Sequence, residues 1–126
     1  MHRQTLELRE TVLGRKHPNT LDSMNALATV LNHQQRHEEA EKNQRQALEG
    51  YRKVLGKEHP RTLESAANLA LVLKNKAKYA EAEEMYRQAL ELMEKVLGDE
   101  HPTTKTCRDN LAECVRVEEE ASKQGR

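Results

Sequence analysis

The sequence predicts an all-α fold, an α-α solenoid of antiparallel helix pairs, and three observations carry that prediction. The dipeptide His-Pro recurs at His17-Pro18, His59-Pro60 and His101-Pro102, each copy 42 residues after the last. Its neighbours recur with it: Leu13-Gly14, Leu55-Gly56 and Leu97-Gly98 stand before it, and Thr20, Thr62 and Thr104 follow two residues after the proline. Between these marks, apolar residues return every three or four positions, the spacing of a helix that buries one face. A period of about 20–50 residues marks a stack of similar units, each burying its apolar face against the next.

Taken in order, residues 1–14 read as the C-terminal part of a helix B from a preceding unit. Arg3-Gln4-Thr5-Leu6-Glu7 aligns there with Arg45-Gln46-Ala47-Leu48-Glu49 and Arg87-Gln88-Ala89-Leu90-Glu91. The first complete repeat, 18–56, places helix A over 18–33 on Leu21, Met24, Leu27, Ala28 and Leu31. Its helix B spans 37–55 on Ala40, Ala47, Leu48, Tyr51 and Leu55. The second, 60–98, places helix A over 60–75 on Leu63, Ala66, Leu69, Ala70, Val72 and Leu73. Its helix B spans 79–97 on Tyr79, Ala82, Met85, Tyr86, Ala89, Leu90, Met93, Val96 and Leu97. A terminal helix A occupies 102–123, and its end has two readings. Ala121 onward opens a third helix B that stops after a few residues, or Glu118 to Lys123 prolong the last helix as a solvated cap.

Local chemistry supports these boundaries. Proline suits a first helical position, whose N–H would be unpaired in any case, and His59 or Thr62 can supply the cap before or after it. Gly56 and Gly98 sit where a helix must end in a left-handed residue. Ala28, Ala70 and Ala112, with Ala40, Ala82, Ala47 and Ala89, mark the points where helix backbones must approach closely.

Composition narrows the function. Lys plus Arg and Asp plus Glu number 21 each, which removes the electrostatic case for nucleic acid or an anionic membrane as partner. With 36% hydrophobic residues and neither Phe nor Trp, the chain has material for thin helical layers, all within a single domain over 1–126. No apolar run reaches the 18 or so residues of a membrane span, and nothing near Met1 has the pattern of a secretory signal, so the expected location is cytoplasmic. Cys107 and Cys114 lie on one helix about 10 Å apart, too far for a disulfide, which fits a reducing compartment.

Catalysis and metal binding find no support. The His-Pro histidines are a full unit apart, roughly 20 Å for helices packed 8–10 Å apart, so they cannot share an ion. His33 and His37 have a helical metal spacing, but the expected interhelix turn falls between them. No nucleophile is paired with a base, and no Gly-rich phosphate loop or zinc spacing occurs, so neither an enzyme nor a cofactor is expected.

The recurring strings Thr20-Leu21, Thr62-Leu63, Leu27-Ala28, Leu69-Ala70, Leu111-Ala112, Ala40-Glu41, Ala82-Glu83, the Arg-Gln-Ala-Leu-Glu block and the Leu-Gly plus His-Pro turn resemble the tetratricopeptide repeat. The likeness is to the 42-residue variety of kinesin light chains, also found in nucleotide-binding signalling proteins with C-terminal repeat arrays. Two departures stand out. The turn between helices A and B usually carries glycine in that family, and Gln35, Ala77 and Glu119 hold the column here. Lys105 and Arg108 replace the Leu21 and Met24 of the first unit, giving the last helix A a polar edge suited to a cap.

The resemblance implies that the pairs wind into a right-handed α-α solenoid, and that it is a protein-interaction module in which an extended peptide or a helix of a partner lies along the concave face of the A helices. The groove columns are Asp22, Asn25, Thr29, Asn32 and His33 in the first unit, and Glu64, Ala67, Leu71, Lys74 and Asn75 in the second. The third contributes Thr106, Asp109, Glu113, Arg116 and Val117. Asn25 is the leading candidate, since an amide both donates to and accepts from a peptide backbone. Asn68 and Asn110, one place along, can pair within the helix layer instead. The alternative function is head-to-tail self-association: the next residue after Arg126 would fall on the column of Met85 and Met1, so the orphan helix A at 104–117 could pack on the helix B at 1–13 of a neighbour.

Overall fold

A proline opens each of the three A helices, α1 (Pro18–His33), α3 (Pro60–Asn75) and α5 (Pro102–Gln124), and between them run the B helices α2 (His37–Val54) and α4 (Tyr79–Val96). The computed structural model describes residues 18–124, so the helix expected over 1–14 lies outside the described residues. The residue before each described proline turn is its cap. His59 holds an extended backbone and its Nδ1 accepts the N–H of Arg61 at 3.1 Å, and the Nδ1 of His101 accepts the N–H of Thr103 at 3.1 Å. The recurring histidine therefore satisfies a backbone donor that the first helical turn leaves orphaned.

The A-to-B turns close without glycine. At the end of α1, Gln35 takes φ +62°, its N–H reaches Asn32 O at 3.0 Å and that of Arg36 reaches Leu31 O at 2.8 Å. At the end of α3, Ala77 takes φ +62°, with Ala77 N–H to Lys74 O and Lys78 N–H to Leu73 O, both at 2.9 Å. This is the Schellman ending, whose left-handed residue is ordinarily glycine. The third unit has no such turn: α5 runs unbroken through Glu119 to Gln124, so the reading of Ala121 onward as a third helix B is corrected. The physical reason is packing. A left-handed non-glycine residue costs about 1–2 kcal/mol. At Gln35 and Ala77 the packing of the following helix offsets that cost, whereas among the described residues nothing packs beyond Glu119.

Two interlocked cores hold the layers. Leu21, Met24, Leu27, Leu31, Ala40, Ala47 and Tyr51 of the first pair enclose Val72 of α3. Leu48 of α2 in turn joins the second core, with Leu63, Leu69, Leu73, Tyr86, Met93, Cys107 and Cys114. Each pair thus lends a side chain to the next, which makes neighbouring units interdependent. Ala28 and Ala70 are 0% exposed at the helix crossings, but Ala112 is exposed, correcting its reading as a close-approach point. Among the described residues no B helix follows α5 to cover that column.

The Cα traces of α1 and α3, and of α3 and α5, come within 8 Å of each other, whereas those of α2 and α4 do not. The stack is therefore tighter on the A side, which forms its inner face, and more open on the B side. A recurring cross-unit contact also changes sign along the stack. Lys76 sits 2.6 Å from Glu41 and 2.5 Å from Glu38. At the same columns one unit on, Glu118 faces Glu83. Burial works to raise the Glu41 carboxyl, but hydrogen bonds from Lys76 and Arg45 outweigh it and hold it at about 2. The Glu118 carboxyl is instead raised, chiefly by its side-chain contact with Glu83, while Glu118 and Arg87 lower the Glu83 carboxyl.

Candidate protein-interaction surface

The predicted columns do come together on the inner face, but many of their side chains tie the A helices to one another. Asp22 accepts from Tyr51 Oη of α2 and pairs with Arg61 of α3 at 3.3 Å. Burial, then the Asp22 contact, pushes the Tyr51 hydroxyl well above the usual phenol range, so it remains a donor. Asn25 Oδ1 accepts from Gln44 Nε2 and from Asn68 Nδ2 at 3.4 Å, while Gln44, 0% exposed, also donates to Ser65 Oγ at 3.0 Å. Asn32 Oδ1 accepts from Asn75 Nδ2 at 3.1 Å and lies 3.0 Å from His37 Nδ1. Lys74 donates to Glu113 at 2.6 Å and lowers its carboxyl.

A polar ladder thus runs from α1 through α3 to α5, and its rungs are the residues the sequence offered for ligand binding. Thr29 bonds back to Asn25 O at 3.0 Å within its own helix. His33, Glu64, Asp109 and Arg116 are exposed along the same face, with Ala67 and Leu71 half-buried. The second unit replaces the Asn25–Gln44 pair with Ala67 and Tyr86, and Tyr86 is buried with no partner for its hydroxyl among the described residues. A larger side chain over a smaller one fills the same layer.

The open part of this face is a groove of about 340 Å³ between α3 and α5. Glu64, Ala67, Asn68 and Leu71 form one wall; Pro102, Thr103, Thr106, Cys107 and Asn110 form the other. Thr103 and Cys107 escaped the sequence reading because they belong to the wall only through the crossing of α5 on α3. The buried Cys107 thiol is pushed up to about 11 by desolvation, so it lines the groove as a small apolar group. A larger hollow, about 500 Å³, lies on the opposite face between α2 and α4. Among the described residues no three His, Cys, Asp or Glu side chains gather as metal ligands, and no helix is long and apolar enough to cross a membrane.

An all-α stack of antiparallel pairs with a polar ladder on its inner face defines a helical-repeat scaffold. The tetratricopeptide repeat family matches residues 23–95 and 65–120, and a second profile of the same description matches 1–19. The chain belongs to the tetratricopeptide repeat family, in its kinesin-light-chain-like form. A crystal structure from Podosopora anserina, described as a kinesin light chain with nearly identical TPR-like repeats, is 25% identical with a TM-score of 0.77; it covers 97% of this chain and 58% of that one. A variant of that protein gives 25% and 0.79, covering 97% of this chain and 57% of its own. BtubC (BKLC) from P. vanneervenii shares the fold at 22% identity and a TM-score of 0.81, over 93% of this chain and 46% of that one. The chain therefore spans about half the length of these structures. No curated protein matches its sequence. Family membership makes the chain a protein-interaction module on a scaffold known for non-catalytic roles.

Proposed function

We propose that the inner face of the A helices receives a short peptide or a helix of a partner protein, seated in the groove between α3 and α5. The observation that carries this is the contrast along the face. Where Asn25, Asn32, Lys74 and Glu113 are spent on neighbouring helices, Glu64, Ala67, Leu71 and Thr106 leave an open, partly apolar channel. A partner side chain can cover Ala67 and Leu71 while its backbone meets the amides of Asn68 and Asn110. In this reading the chain works without cofactor, in a reducing, cytoplasmic setting that suits its two free cysteines. A peptide array probed with the intact chain tests it. Binding lost in Thr106→Arg and kept in the outer-face variant Arg45→Ala supports the reading; the reverse pattern refutes it.

Self-association is a second reading, favoured by one observation. Leu111 and Val115 are half-buried and Ala112 exposed on α5, whereas the equivalent Ala28 and Ala70 are fully covered by a B helix. A helix from a second copy would complete that layer. A molar mass that stays at 14.5 kDa across a wide concentration range in light scattering excludes it.

A further inference from the structure

The hollow on the outer side of the stack follows from its curvature: because α2 and α4 do not meet, α3 is left uncovered between them. The deeper part, about 500 Å³, is floored by Leu63 and Ala66 and walled by Met85 and Leu92. A shallower part of about 380 Å³ continues past Leu48 and Leu69 and shares Arg52 and Met85 with the first. On α4 the wall residues Met85, Gln88, Ala89 and Leu92 lie on one face over about two turns, roughly 10 Å. Met85 and Leu92 remain only half-buried, so the trough has apolar surface still open to water. Methionine is the side chain best able to adapt to an incoming partner.

The charges around the trough are uneven. Arg45 is held by Glu41 at 2.8 Å and Glu81 at 2.7 Å, Lys53 by Glu49 at 2.9 Å, and Lys95 by Glu58 at 3.2 Å. Arg52 and Lys57, both exposed on the trough wall, make no ion pair among the described residues. Facing them, Glu91 is the one lining carboxylate of the deeper part. The trough therefore offers an apolar floor beside a surplus of positive charge, with two parallel helices as its banks. That shape accepts an amphipathic helix laid between them.

We infer that this trough is a second docking surface, separate from the inner groove, that takes an acidic amphipathic helix of a partner protein. The partner's aliphatic stripe covers Met85, Leu92 and the α3 floor, and its Glu or Asp side chains reach Arg52 and Lys57 without displacing an existing ion pair. The charge contacts set the on-rate and the choice of partner more than the total affinity. They weaken as salt shortens the Debye length.

The test uses the full chain and two synthetic helical peptides sharing one Leu/Ala stripe, flanked by Glu in one and by Lys in the other. Backbone amide chemical shifts report where each binds. The expected result is perturbation by the Glu peptide around residues 85–92 and 48–57, weakened about tenfold in Arg52→Glu/Lys57→Glu, equivalent to 1.4 kcal/mol, and unchanged in Thr106→Arg. Both reversed residues are exposed, so that variant keeps the fold; Met85→Ser, which thins the wall, weakens binding as well. Equal binding of the Lys peptide, perturbation confined to the α3–α5 groove, or no binding of the Glu peptide overturns the inference. So does a peptide-free chain whose mass doubles with concentration through the same residues, since the occupant is then a second copy.

Discussion

The left-handed turn residues give the sharpest quantitative prediction. Ala77 and Gln35 are exposed and hold φ +62°, a conformation costing a side-chain-bearing residue about 1–2 kcal/mol. Glycine removes that strain but adds about 0.5–1 kcal/mol of unfolded-state entropy. The net gain for Ala77→Gly is about 0.5–1 kcal/mol, because no buried contact is lost. At about 2.1 cal/mol/K per residue, a 126-residue chain unfolds with roughly 0.26 kcal/mol/K, so Tm rises by about 2–4 °C. Gln35→Gly gives a similar rise, and the two add because they lie one unit apart with no shared partner. Ala112→Gly is the control: it too is exposed but lies inside α5, where glycine costs about 0.8–1 kcal/mol. Thermal melts followed by circular dichroism at 222 nm should move in opposite directions. If Ala77→Gly lowers Tm as Ala112→Gly does, the assignment of the turn as strained is wrong.

Other predictions follow from the contacts. Gly98→Ala, at φ +91° with open space around a new Cβ, should cost a net of about 0.5–1 kcal/mol in urea titration, the backbone strain of about 1–2 kcal/mol less the unfolded-state entropy that alanine removes. Gln44→Ala should cost about 1–3 kcal/mol, since it strips a buried hub from Asn25 and Ser65. Adding Asn25→Ala should cost less than the sum, and Gln44→Tyr with Asn25→Ala, the residues found one unit on, should recover stability. With pH, the two cross-unit contacts act in opposite senses. Glu41 is depressed from 4.5 to about 2, so its contribution is complete above 4.5 and fades as pH falls toward 2. Glu118 is raised, so its contribution is complete below the ordinary carboxylate range and is lost as pH rises through its own higher value. Protection factors at the end of α5, which take out the intrinsic base-catalysed rise in exchange, should therefore fall as pH climbs past the ordinary carboxylate range, and Glu118→Lys, which copies the Lys76–Glu41 pair, should abolish that fall.

The sequence by itself determined the period, the helical class and the places where helices begin. The physics at those points is local: a proline at a first turn, a histidine before it, and an apolar residue every three or four positions act within a few residues of chain. Residues three or four apart share a helix face whatever packs on them, so spacing grouped the columns, while their place on an inner face was what the family resemblance implied. Tertiary structure decided what those columns do. Whether Asn25 faces a ligand or Gln44 depends on a helix crossing 19 positions away, and whether Lys74 is free depends on Glu113, 39 positions on. Ala112 reads like Ala28 in the sequence yet is exposed, because burial requires a partner that its own helix cannot supply. The outer trough is invisible in the sequence for the same reason: it is the space between two helices that never touch.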